Sequence, residues 1–153
     1  MDQIDKNILH HLQTQARISM TELGKSVGLS QPAVTERVKR MEEKGIIEHY
    51  RTIVSPEKIG KRTIAYMLFH TRACYEFLDF IRESPEVVEC HRISGEYNYL
   101  LKIMTDSTRS LEDFGIQCDK YGTYTILIVL SSPIEHKSLL PMLEGEDMLA
   151  DSK

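Results

Sequence analysis

Between Ile18 and Gly45 two helix signatures follow one another with only three residues between them, a spacing that joins them by a tight turn. Ser19 with Glu22 three positions on is a capping-box start, and Leu23 and Val27 sit one turn apart on an apolar face. Gly28-Leu29-Ser30 breaks the pattern, and Ser30 with Pro32 restarts it as N-cap and first-turn residue. In the second segment Val34, Val38 and Met41 recur at helical spacing and predict an inward stripe. The opposite side then carries Pro32, Thr35, Glu36, Lys39, Arg40 and Glu43. A helix from about Gln3 to Gln13, capped by Asp2 and striped by Ile4, Ile8, Leu9 and Leu12, precedes the pair and completes a three-helix unit.

After Gly45 the segment Ile46 to Val54 is rich in β-branched residues and predicts an extended hinge strand, stopped by Ser55-Pro56 and followed by a turn-rich stretch to Arg62. From Thr63 the period becomes two. A strand over Ile64 to Phe69, a helix over Tyr75 to Arg82, strands over Val87 to Ile93 and Tyr99 to Met104, a helix opening at Asp106 or Ser107, and a strand over Thr123 to Leu130 give the order β-α-β-β-α-β. That order is the split βαβ of a ferredoxin-like domain. Two helices cover one sheet face, and strands such as Ile126 to Val129 have no polar side, so the other face predicts dimerisation. The fold class is therefore α+β: a winged-helix-like three-helix domain over 1–50, a hinge strand and linker over 51–62, a βαββαβ domain over 63–136 and a C-terminal tail over 137–153, frayed from Glu144.

The 153 residues carry 19 Lys and Arg against 23 Asp and Glu, a net charge of −4 that weighs against a nucleic-acid partner. The sum hides a division. The first 62 residues hold 11 basic and 8 acidic side chains, the rest 8 and 15, so the half with the paired helices is basic where a phosphate backbone would feel it. The reading is a DNA-binding helix-turn-helix with one helix in a major groove of double-stranded DNA. Lys39 and Arg40 are phosphate or base contacts; Gln31 and Thr35 can reach base edges; Ser30 and Gln31 present backbone amides to a phosphate. Glu36 either accepts from a cytosine amino group or pairs with Arg40, and Arg37 either touches phosphate or pairs with acids such as Asp5. Arg17, Lys25 and Arg51 are peripheral candidates. A protein-binding winged helix and a regulatory module acting on an enzyme are the competing classes.

No run approaches the roughly 18 apolar residues of a membrane span, and the N-terminus lacks the regions of a secretory leader, so a cytoplasmic protein without a membrane partner is expected. Cys74, Cys90 and Cys118 form no metal-ligand or disulfide pattern and read as buried free thiols; the six histidines lack metal spacing. No phosphate loop, nucleophile elbow or paired-carboxylate motif occurs, and neither an enzyme nor a cofactor is expected.

Asp2 to Leu12, Arg17-Ile18-Ser19, Glu22-Leu23-Gly24, Val27 to Ser30, Thr35 to Val38 and Gly45-Ile46-Ile47, followed by Cys90-His91 and Ser94-Gly95-Glu96-Tyr97-Asn98-Tyr99-Leu100-Leu101-Lys102, resemble the leucine-responsive regulatory protein/AsnC family of transcription regulators. The resemblance spans about residues 2 to 135. It implies a homodimer paired through the C-terminal sheets, tetramers or octamers built from it, and an amino-acid or related effector near the Gly95 hairpin at a contact between dimers. Gly95, Tyr97, Asn98, Tyr99, Thr105 and Asp106 are the candidate effector contacts, with Gly95 also readable as a turn residue, Tyr99 as core and Asp106 as a cap. One departure stands out: Asn98 lies where amino-acid-binding members usually carry Asp, and an amide lacks the charge that strengthens a bond to an ammonium group. Hence the alternative of an effector-independent architectural protein that bends or wraps DNA.

Overall fold

The computed structural model describes residues 1–141, and the expected fraying from Glu144 lies outside them. Two compact units result, one of Met1–Thr52 with the chain from Ile134, the other of Ile53–Pro133. The first contains α1 (Gln3–Thr14), α2 (Met20–Val27) and α3 (Gln31–Glu43). All three begin as the sequence predicts. Asp2 and Asp5 form a capping box on α1, Ser19 and Glu22 another on α2, and the Ser30 hydroxyl accepts from the Ala33 N–H to start α3. The helices close on Ile8, Leu9, Leu12, Leu23, Val34, Val38 and Met41. Gly28, at φ +72°, ends α2 in the left-handed region that favours glycine.

Residues 46–56 form no strand. The expected hinge strand has no ladder partner among the described residues, and β-branched composition alone does not make one. A single 3₁₀ turn, Glu57–Ile59, follows.

The second unit contains β1 (Thr63–His70), α4 (Cys74–Glu83), β2 (Val87–Arg92), β3 (Tyr99–Thr105), α5 (Thr108–Cys118) and β4 (Thr123–Ile128). The sheet is antiparallel in the order β2-β3-β1-β4, the ferredoxin-like arrangement. β4 stops at Ile128 instead of Leu130 because its partner runs out: the Val129 N–H bonds the Ile64 carbonyl at the start of β1, and Leu130 is 95% exposed. Alternation along β1 and β3 puts Ala65, Met67, Phe69, Tyr99, Leu101 and Ile103 under the helices, against Phe77, Ile81, Leu111, Phe114 and Cys118. Register places Ile64, Tyr66, Leu68, Leu100, Met104 and Leu127 on the uncovered face, all partly or fully exposed.

The thiols differ from expectation. Cys118 is buried and Cys74 half-buried, but Cys90 is exposed, because β2 is the edge strand and has a neighbour on one side only. Among the described residues no helix is long and apolar enough to cross a membrane, and no three His, Cys, Asp or Glu side chains are grouped to hold a metal ion.

Candidate nucleic-acid interface and effector site

α3 buries one stripe and exposes the rest. Val34, Val38 and Met41 face inward, and Gln31, Pro32, Thr35, Glu36, Lys39 and Arg40 are all exposed. Gly24 lets α2 and α3 approach: a Cβ there would lie 2.7 Å from the Leu29 carbonyl oxygen. The exposed face is lightly organised. Gln31 Nε2 donates to the Thr35 hydroxyl at 3.2 Å, and that hydroxyl donates to the Gln31 carbonyl at 2.8 Å. Lys39 stands 3.6 Å from Glu43, both more than 60% exposed, a pair easily given up to a stronger anion. Of the two alternatives for Glu36, the pair with Arg40 does not form among the described residues. The Ser30 hydroxyl is committed to its cap.

Arg37 is placed differently. Its guanidinium donates to Asp5 Oδ1 at 2.7 Å and to Asp2 Oδ2 at 2.8 Å, so it fastens α3 to the start of α1, as the structural alternative for it anticipates. Its hydrogen bonds to the two carboxylates, Asp5 first, push its pKa further up, and Asp2 is pulled below the usual carboxylate value, chiefly by the Asp5 backbone N–H and then by Arg37. Arg17, Lys25 and Arg51 are exposed.

In the second unit the six effector candidates fall into two groups. Gly95, Tyr97, Asn98 and Tyr99 lie in the β2–β3 hairpin and the start of β3; Thr105 and Asp106 lie at its other end. Seven residues of strand at roughly 3.3 Å each separate them by about 20 Å within one protomer. Gly95 adopts φ +118°, which requires glycine. The Tyr97 hydroxyl bonds the Thr125 hydroxyl at 2.9 Å. Asn98 Oδ1 accepts from the Thr71 N–H at 3.1 Å, and its Nδ2 donates to the Thr71 carbonyl at 2.7 Å. Its amide is thereby taken up by the backbone N–H and carbonyl of a single residue after β1. A carboxylate there would keep the first bond and lose the second. Thr105 is 1% exposed with its hydroxyl bonded to the Ser107 carbonyl, and Ser107, not Asp106, caps α5. The Asp106 carboxyl is held below its usual range by the hydroxyls of Ser110 and Ser107.

Tyr99, 4% exposed, reaches the wall of an open cleft of about 750 Å³ that also includes Arg72, Cys74, Glu76 and Arg92. Arg72, after β1, and Arg92, at the end of β2, both line the cleft and form no ion pair among the described residues. The arginines were not singled out by sequence. Only the Arg92–Tyr99 pairing across β2 and β3 and the turn after β1 bring them to one place.

The AsnC-type helix-turn-helix domain matches residues 1–42, and the Lrp/AsnC ligand-binding domain matches residues 67–139. The chain is 43% identical over 136 residues to the HTH-type transcriptional regulator YezC of Bacillus subtilis, covering 89% of this chain and 98% of YezC. The solved structure of Bacillus subtilis LrpC superposes with a TM-score of 0.82 at 34% identity, covering 86% of this chain and 96% of that one. The transcriptional regulator NMB0573 of Neisseria meningitidis, in complex with L-Met, superposes at 0.83 with 28% identity, covering 92% and 96%. Two domains matched in order, the shared fold and full-length relatives place this chain in the Lrp/AsnC family of helix-turn-helix transcription regulators.

Proposed function

We propose that this non-catalytic regulator reads double-stranded DNA with α3 in the major groove, as a homodimer joined through the bare sheet face, and that an amino acid or related metabolite modulates it. The observation that carries the DNA reading is the free side of α3. Gln31, Thr35, Glu36, Lys39 and Arg40 are exposed together, opposite a stripe fully packed into the unit. Lys39 and Arg40 supply phosphate or base contacts, Gln31 and Thr35 reach base edges, and Ser30, Gln31 and Pro32 bring the helix start to a phosphate. Arg37 acts from behind by setting the angle of α3 on α1. In domain terms, residues 1–50 read DNA, 51–62 form the hinge, 63–136 pair and bind the effector, and 137–153 follow as a tail.

Electrophoretic retardation of a duplex tests the DNA reading. Log affinity should fall against log salt with a slope of about −0.9 per neutralised phosphate, and Lys39→Ala with Arg40→Ala should flatten it. An unchanged slope removes both residues from the interface.

For the effector, the NMB0573 complex with L-Met points to amino acids, and the Arg72–Arg92 cleft offers two guanidinium groups to a carboxylate, with Glu76 available to an ammonium. One observation favours the architectural alternative: the Asn98 amide is already satisfied by Thr71 and presents no charge to a ligand. Thermal shifts with L-Met and a panel of other amino acids separate the two. A ligand at about 100 times its Kd should add about 2.7 kcal/mol of stability. No shift across the panel, with DNA retardation intact, selects the architectural reading.

A further inference from the structure

From Ile134 the chain leaving β4 belongs to the unit built on residues 1–52. At Leu139 its backbone is gripped by one side chain. Gln13, on the last turn of α1, donates from Nε2 to the Leu139 carbonyl at 2.9 Å, and its Oε1 accepts from the Leu139 N–H at 2.8 Å. Nε2 also donates to the Leu9 carbonyl of its own helix at 3.1 Å, which orients the amide. A primary amide carries the same donor and acceptor as a peptide group, so this pair acts like one rung of a β-ladder and reads backbone whatever the side chain. Leu139 fits that description, since its side chain is 85% exposed. Beside it Leu140 and Pro141 line a cleft with Leu9, Leu12, Ile47 and Tyr50.

We propose that residues 134–141 are a detachable strap: docked at Gln13, it ties the chain leaving the ligand-binding domain to α1, and through α1 to α3. The chain passes from one unit to the other at Thr52–Ile53 and returns at Pro133–Ile134, where the strap begins. The route onward runs along α1. Gln13 shares α1 with Asp5, and Asp5 holds Arg37 of α3. Coupling between sites needs an element with two arrangements that both sites bias, and a strap held by one amide pair and two apolar residues has docked and released forms. Its last step, the effect on DNA, rests on the proposed DNA reading; the docking does not.

The test uses the full chain. Amide exchange at Leu139, expressed as protection over the free-peptide rate, should fall about tenfold in Gln13→Ala, the weight of one to two net hydrogen bonds. Gln13→Glu should lose protection at neutral pH, where a carboxylate faces the Leu139 carbonyl, and regain part of it in acid, where a protonated carboxyl donates again. A merely local packing role for Gln13 would not produce that pH reversal. Retardation of a random-sequence duplex in dilute salt should weaken at least about threefold in Gln13→Ala, because a freed unit must be ordered again on binding. An unprotected Leu139 in the native chain, or equal protection in Gln13→Ala, overturns the docking. Unchanged or tighter duplex binding with the strap released overturns the coupling. If the native chain retards no duplex, the DNA reading fails while the Leu139 measurement still decides the strap.

Discussion

The DNA-reading unit starts its helices on polar contacts between near neighbours in the chain, whereas the ligand-binding unit pins its loops by contacts between distant ones. In the first, Asp2 with Asp5, Ser19 with Glu22 and Ser30 with Ala33 each span three residues, and every helix starts on its own side-chain cap. In the second, Asn98 reaches Thr71 across 27 residues, Tyr97 reaches Thr125 across 28, and the Thr71 hydroxyl reaches the Tyr121 carbonyl across 50, while α4 has no side-chain cap. A unit whose helices set their own ends keeps its shape as a reading head. A unit whose loops are pinned to one another transmits a change at any one of them.

The comparison breaks first, and hardest, at the cores. Phe77 is fully buried, stacked 4.0 Å from Phe69 and tilted at 5.5 Å from Tyr99. Phe77→Ala should cost about 3–5 kcal/mol. Urea unfolding followed by amide signals of each unit should show the loss in residues 53–133 alone; an equal loss in residues 1–52 would mean that the two units melt as one.

Arg37→Ala is the corresponding blow to the first unit, since it removes the ion pair that fastens α3 to α1 and leaves the buried Asp5 short of a partner. Discounted for the exposed arm to Asp2, the cost is about 2 kcal/mol. DNA affinity should fall with a salt slope unlike that of Lys39→Ala: nearly native for Arg37→Ala, flattened for Lys39→Ala. A flattened slope for Arg37→Ala would return it to the phosphate contacts.

Asn98→Asp tests the long-range pins. It keeps the bond from the Thr71 N–H but sets a carboxylate against the Thr71 carbonyl, and should destabilise the ligand-binding unit by about 1–2 kcal/mol. A native melting temperature in this variant would show that the Nδ2 bond contributes nothing. The contrast with the caps explains what the sequence could show. Ser19-x-x-Glu22 is legible because both partners lie within one turn, and the strands because alternation repeats along each. That Asn98 answers Thr71 is legible nowhere in either segment; it appears only when β3 pairs with β1 and brings Tyr99 opposite Phe69. The same reason hid the Arg72–Arg92 cleft and the grip of Gln13 on Leu139, and made Cys90 read as buried, since which strand lies at the edge is a property of the sheet order. The separation of Thr105 and Asp106 from the hairpin is of that kind too.

Ser30→Ala should cost about 1 kcal/mol, the usual weight of an N-cap, with DNA binding weakened by no more than the fraying of the first turn of α3. Capping being local, the loss should be confined to residues near 30–34 in an exchange map. Spread over the whole first unit, it would show that α3 relies on its cap for more than its own first turn.

The smallest effect concerns acid. Glu22 sits below its ordinary 4.5 because the Ser19 hydroxyl, and then the Ser19 backbone N–H, donate to its carboxylate. A lowered folded value means that its stabilisation is complete above 4.5 and drains as the pH falls through the lowered value. In Ser19→Ala the hydroxyl donor is gone and the backbone donor remains, so the variant's deficit relative to the native chain should narrow in acid without closing. Glu89 in the other unit is also lowered, mainly by Lys102, but nothing in it depends on Ser19, so its acid response should match in both proteins. A deficit constant from neutral pH into acid would show that the Ser19 hydroxyl acts through its cap on the Glu22 N–H alone, and that its own bond to the Glu22 carboxylate carries no weight in holding α2.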